Sequence, residues 1–223
     1  MHWKAAVFFT LGLALGTAAS AAQPVPAIEV LVYNYAGVPP ETLDRAEREA
    51  ARIFERVGVQ TEWLACPLSP DEAARYPACA LAPGPATLAV RILPRSMAER
   101  LNLDPETFGF AQLPKDGGFG FAAIVCSHRA EELAQGRASV QGVILGHLIA
   151  HELGHLLLGA GSHAAKGIMH VPWRKKELEL VAQGTMLFTS WEAERIQLQV
   201  LERMRSELPS AVQLADRGSR PAP

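Results

Sequence analysis

The chain has 223 residues, enough for one domain with a sizeable core, or at most two small ones. Its composition, 49% hydrophobic and 20% charged, is that of an ordinary globular protein. A formal net charge of -2, with no basic stripe, argues against nucleic acid and anionic membrane surfaces as partners.

Residues 1–22 read as a secretory signal peptide. Lys4 supplies a positive start, Ala5 to Leu15 an apolar run, and Ala-Ser-Ala-Ala at 19–22 a small-residue cleavage site. The apolar run is shorter than the ~20 residues a spanning helix needs. The mature chain is then exported, secreted or periplasmic, free of the membrane, and read as a monomer. Only a few residues separate the cleavage site from the first strand, too few for a prodomain of classical length.

AIEVLVYNY at 27–35 is a β-branched and aromatic run and predicts a strand. Pro39 and Pro40 open a helix whose apolar residues Leu43, Ala46, Ala50, Ile53, Phe54 and Val57 recur at helical spacing, with Gly58 ending it. Alternation in VQTEWLA at 59–65 gives a second strand, and ATLAVRILP at 86–94 a third, stopped by Pro94. Between these two strands lies CPLSPDEAARYPAC, a turn-like segment that a Cys66–Cys79 disulfide would staple in an oxidising compartment. The remaining cysteine, Cys126, reads as a buried thiol.

Residues 95–107 read as a polar, partly helical connection and 118–128, GFGFAAIVCSH, as a fourth strand, glycine-marked as an edge, a bulge or a close approach. A long helix covers 138–161 with Ser139 as its N-cap. It is apolar nearly all round, which makes it central and buried. Residues 160–188 have no strong period. Thr189 to Glu192 form a capping box for a helix over 190–207, Pro209 closes it, and 209–223 reads as a disordered tail. The whole is one α/β domain, residues 23–208, on a mixed sheet.

The chemistry lies in HELGHLLLGAGSHAAKGIMH, residues 151–170. His151 and His155, at i and i+4, stand about 6 Å apart along the helix axis and about 40° apart around it, so both imidazoles reach one metal. Glu152 is turned away by about 100° and reaches a water on that metal instead. Two ligands and a general base on one turn are the mechanical content of H-E-x-x-H. His147 lies about 12 Å along the axis from His155, too far to share the metal, and is placed behind the site. The third ligand must come from beyond the helix. Gly159 and Gly161 turn the chain sharply, and His163 follows. His170, Glu177 and Glu179 are the alternatives, although KKELELVAQG shows little sign of a ligand-bearing helix.

The motif resembles that of the metzincin clan of zinc peptidases, H-E-x-x-H-x-x-G-x-x-H followed by a Met-turn. Here the glycine is Gly159 and the third histidine His163, one and two residues later than in the clan, and Gly167-Ile168-Met169-His170 looks like the Met-turn. The element order over 27–207 is also similar to that fold: a twisted mixed sheet, a central active-site helix and a C-terminal helix. The resemblance implies Zn2+ on His151, His155 and His163, Glu152 as the general base, and Met169 as a hydrophobic floor under the imidazoles. It also implies an antiparallel edge strand that binds extended substrate, expected at Gly118, Gly120, Phe121 and onward to Val125. Val171 stands where some metzincins carry a tyrosine. The function implied is a secreted zinc metallopeptidase acting on peptide or protein substrates. The rival readings are a zinc-binding interaction module with little activity, and a zinc hydrolase of a non-peptide amide. The segment 164–188 is a candidate lid.

Overall fold

The structure is a computed structural model that describes residues 24–73, 75–80, 82–115 and 118–218, with the backbone alone at 70 and 208–218. The expected signal peptide at 1–22 lies outside the described residues. The elements, in chain order, are β1 (Ala27–Asn34), α1 (Pro40–Arg56), β2 (Gln60–Ala65), α2 (Pro70–Ala73), α3 (Pro77–Ala80), β3 (Thr87–Leu93) and α4 (Arg95–Arg100). After these come β4 (Gly109–Gln112), β5 (Ala122–Cys126), α5 (Ser127–Ala134), α6 (Ala138–Leu158), α7 (Lys175–Ala182) and α8 (Ser190–Gly218).

Among the described residues, five strands form one mixed sheet in the order β2-β1-β3-β5-β4. The pairings of β1 with β2 and β3, and of β3 with β5, are parallel. Only β4 runs antiparallel, against β5. Strand alternation sorts the side chains by face. Ile28, Val30 and Val32 of β1, with Leu88, Val90 and Ile92 of β3, point into the main core, together with buried residues of α1, α6 and α8. Leu31 and Ala89 point the other way and meet Cys66 and Cys79, which form the expected disulfide with a Cα–Cα distance of 5.7 Å. The stapled loop thus covers apolar surface on the sheet face that the large helices leave open. Cys126 is a buried free thiol, and burial pushes it up to about 11.

The edge of the sheet is not where the sequence placed it. The strand expected over 118–128 is β5, and it lies inside the sheet between β3 and β4. The edge on that side is β4, GFAQ, a four-residue strand too short to show an alternation of its own, and β2 forms the opposite edge. Ser127 and His128, expected to end the strand, begin α5.

Helix α6 is the axis of the molecule, buried along most of its 21 residues. It lies close on α1 because Gly142 and Gly146 carry no side chains there. A Cβ at Gly146 would stand 2.5 Å from the Ala46 carbonyl oxygen, and one at Gly142 2.9 Å from that of Thr42. The helix begins at Ala138, so Ser139 falls in the first turn and not at the cap. Helix α7 occupies residues that the sequence left irregular. Its start is held by the Glu177 carboxylate, which accepts the Arg174 N–H at 2.9 Å. The capping box at Thr189 forms as expected: Glu192 accepts the Thr189 N–H at 2.6 Å and the Thr189 hydroxyl accepts the Glu192 N–H at 3.4 Å. Helix α8 runs through Pro209 to Gly218, where a tail was expected. A proline removes one helical hydrogen bond, but the turns on either side can still form.

Arg203 of α8 is fully buried. Its guanidinium donates to the carbonyls of Pro85, Gly120 and Leu156 at 2.9, 3.0 and 2.9 Å and lies over the ring of Phe119. It therefore joins α8 to the segment before β5 and to the last turn of α6, where a cation also suits the helix dipole. Replacement by methionine strands three carbonyls. Arg203→Met is expected to cost roughly 3 kcal/mol or more in urea unfolding, and an unchanged midpoint would refute this role.

Candidate metal centre

The sequence brings His151 and His155 to one side of α6, and the structure places their Nε2 atoms 3.1 Å apart. Gly159, with φ of 90°, ends the helix, and Gly161, with φ of 70°, turns the chain back. Both values lie in the region that glycine enters freely. Ser162 and His163 then face the helix. Nε2 of His163 lies 3.2 Å from Nε2 of His155, and the three ligand atoms fall within 4.8 Å of one another. Two nitrogens on one tetrahedral metal at ~2.05 Å stand about 3.3 Å apart, close to the separations of His155 from His151 and from His163. The two extra residues relative to the clan motif are taken up in the double-glycine turn.

Partners at the other ring nitrogens fix the imidazoles. Nδ1 of His151 donates to the Ile168 carbonyl at 2.8 Å, which leaves Nε2 as a lone pair aimed at the cluster. Nδ1 of His155 lies 2.8 Å from the Ser162 hydroxyl. Ile168 belongs to the turn that carries Met169. That turn is set by Gly167 at φ 80° and by hydrogen bonds from His170 N to Gly167 O and from Ile168 N to Leu187 O. Met169 is fully buried, and its sulfur lies against Gly154, where an added Cβ would approach it to 2.8 Å. It packs beneath the helix turn that bears the histidines and is not part of the ligand cluster.

The other candidates lie elsewhere. His147 is buried behind the site, its Nδ1 donating to the Val143 carbonyl at 2.9 Å and lying 3.5 Å from Glu49. Nδ1 of His170 donates to the Ala164 carbonyl, and its Nε2 is 3.9 Å from Glu177, the residue that caps α7. Neither His170 nor Glu177 nor Glu179 joins the cluster.

Glu152 is 2% exposed and lines the same cleft as the three histidines. Its Oε2 is buried without a partner, and burial pushes the carboxyl up to about 8. The carboxyl rests against β4 at Gly109, where a Cβ would lie 3.1 Å from it and 1.9 Å from the Ile124 carbonyl oxygen. Burial lowers the two helix histidines, His151 to about 3 and His155 to about 4, so both are neutral and ready to ligate at pH 7.

The cleft holds about 480 Å³ between β4 and the segment after Met169. Phe110, Ala111 and Leu113 line one side and Val171 to Trp173 the other, with Arg129 also in its wall. Gly118, Gly120 and Phe121 are not among the lining residues. Phe121 faces a separate hollow beside Phe119, and Gly120 is packed against Leu113 and Leu156. The substrate-strand expectation is corrected accordingly: β5 is flanked on both sides, and the strand beside the histidines is β4. Sequence reasoning missed Phe108, Arg129 and Trp173. None of them belongs to a recognisable spacing, and only the fold brings them to the cleft.

No protein-family model and no curated protein matches the chain. Fold and site together define an α/β protein with a three-histidine cluster able to hold a metal ion.

Two measurements check the centre. His163→Ala is expected to lose metal affinity by orders of magnitude, and Ser162→Ala by about 10- to 100-fold, in competition titrations with a chelator. A metal-free chain at pH 7 keeps a proton on Glu152, which an adjacent cation expels, whereas His151 and His155 have none to lose. Metal uptake by the wild type should therefore release close to one proton more than uptake by Glu152→Gln, measured by calorimetry in buffers of differing ionisation enthalpy. Equal release would refute the buried protonated carboxyl.

Proposed function

We propose that this chain is an exported zinc-dependent metallopeptidase of metzincin-like architecture. The observation that carries the reading is the convergence of three imidazoles, two of them fixed from behind by Ile168 and Ser162, in a cleft that also contains Glu152 and an edge strand. Three neutral nitrogen ligands that leave a coordination position open are the donor set of a catalytic zinc. A zinc ion held there supplies Lewis acidity, polarising the scissile carbonyl and acidifying water in the cleft.

The protein's own groups do the rest. An extended peptide laid along the outer edge of β4 pairs with its main chain, which orients the scissile bond without reading its sequence. The carboxylate of Glu152 takes the proton from the attacking water and gives it to the departing amine, a shuttle that suits a carboxyl lifted toward neutral pH by burial. Gly109 makes room for that carboxyl beside the peptide. Trp173, whose indole N–H donates to the His170 carbonyl at 2.7 Å, packs edge-on to His151 and holds the wall opposite β4.

Support for export comes from the Cys66–Cys79 disulfide, a bond that persists in oxidising compartments. No helix among the described residues is long and apolar enough to cross a membrane. The decisive variant is Glu152→Gln, nearly isosteric and unable to take the proton. It should retain the metal while kcat/KM on a peptide library falls by at least ~10²-fold. Wild-type turnover by a metal-loaded Glu152→Gln protein would eliminate the general-base assignment.

A further inference from the structure

Among the described residues lining the cleft, Arg129 is the one with a permanent positive charge. It lies in the first turn of α5, and its side chain is 13% exposed. Its guanidinium carbon is 6.0 Å from the centre of the Phe108 ring, and that ring stands edge-on to His151 at 5.9 Å. One aromatic ring therefore separates Arg129 from the metal cluster. The guanidinium is a side chain's length from the reacting atoms, a distance suited to binding and not to the chemical step.

The local charge is unbalanced. Nη1 of Arg129 pairs with Glu132, but Glu132 also pairs with Arg95, so two cations share one carboxylate. Nε of Arg129 is buried with no hydrogen-bond partner. Two carboxylates, Asp104 and Glu106, also border the cleft, and both residues are exposed. Asp104 is already engaged with the Glu106 N–H at 2.8 Å. Exposed charges act through water and salt, whereas a largely buried guanidinium acts through a medium of several-fold lower dielectric. Arg129 is thus the protein's own cation that acts inside the cleft, beside whatever charge the metal and Glu152 carry.

We propose that Arg129 makes the cleft selective for substrates that carry a carboxylate next to the scissile bond. The carboxylate is an Asp or Glu side chain or a free chain terminus. Arg is the side chain best shaped to take a carboxylate, and Phe108 supplies the apolar flank for the methylenes that lead to it. The inference rests on the peptidase reading for its setting and names the substrate class of that site.

The test uses the zinc-loaded full chain. One series of end-blocked peptides places Glu, Gln or Lys in turn at each residue flanking the scissile bond. A second compares free-acid and amidated termini just beyond it. The wild type should favour Glu over Gln, or free acid over amide, by about 10- to 100-fold in kcat/KM, and the arm that responds identifies the source of the carboxylate. R129Q should abolish the preference, R129K should retain part of it, and R129E should shift it toward Lys. A shift of that kind cannot come from misfolding, and Glu132 keeps Arg95 as its partner in each variant. Binding of the same peptides to zinc-loaded E152Q and E152Q/R129Q, read by calorimetry, separates the two proposals. Glu peptides that bind more tightly only when Arg129 is present uphold the carboxylate site even if nothing is cleaved, and the peptidase reading then falls alone. Equal treatment of Glu and Gln and of acid and amide, or a preference that survives R129Q, overturns the assignment of Arg129.

Discussion

The constraint on which the structure depends is the burial of a helix that carries ionisable groups. α6 packs into the core on nearly every side, yet His147, His151, Glu152 and His155 all lie on it. A buried polar group must be bonded, neutral or bound to a metal. His147 meets this with the Val143 carbonyl, His151 with the Ile168 carbonyl and His155 with Ser162. Each of these bonds uses one ring nitrogen. On His151 and His155 the second nitrogen faces the cluster, where a metal cation can take its lone pair. Glu152 has no protein partner at Oε2. A cation in the cluster favours the charged form of that carboxyl and also completes the imidazoles. At the cluster, the architecture around α6 thus makes a demand that the described residues do not themselves meet.

The ends of that helix are fixed by different devices. Near its start, backbone lies on backbone through Gly142 and Gly146 against α1, which sets the depth of the helix under the sheet. At its end, Arg203 holds the Leu156 carbonyl, one residue beyond His155, and ties it to Gly120 ahead of β5. Because β5 pairs with β4, the same guanidinium links the ligand helix to the strand pair whose edge borders the cleft. Packing of small residues tolerates little movement, and a threefold hydrogen-bond donor in the core tolerates even less. The ligand geometry is therefore inherited from the core.

How much of this was legible in the sequence follows from how local each signal is. The two helix histidines and Glu152 depend only on helical periodicity, so their placement could be read from three residue types at fixed spacing. The Cys66–Cys79 pair and the Thr189–Glu192 cap are equally short-range. His163 could be foreseen because two glycines announced the turn, but the role of Ser162 could not, since a serine in a loop carries no spacing signal. β4 was missed because four residues cannot display an alternation, and the glycines at 118 and 120 drew the edge assignment to the neighbouring strand. Gly120 marks a close approach of another kind: it packs under Leu156 and lends its carbonyl to Arg203. α7 was missed because Val181 is its one fully buried residue, which leaves little periodicity to read.

The longer spacing of the motif has a physical consequence for the wall of the cleft. A third ligand two residues further on requires a turn wide enough to return, and Gly159 and Gly161 provide it with two positive φ values. The added length places Ser162 beside His155, so the segment that delivers the third ligand also orients the second. On the other side of the cluster, His151 is oriented by the Met169 turn through Ile168. Each helix ligand is thus held by a different segment, and each segment also borders the cleft, one through Gly161 and His163 and the other through Val171 to Trp173. A displacement of either wall would rotate an imidazole, and rotation of an imidazole would move a wall. Metal affinity and substrate fit are therefore coupled through the same two hydrogen bonds, a coupling that a site built from helix residues alone would lack.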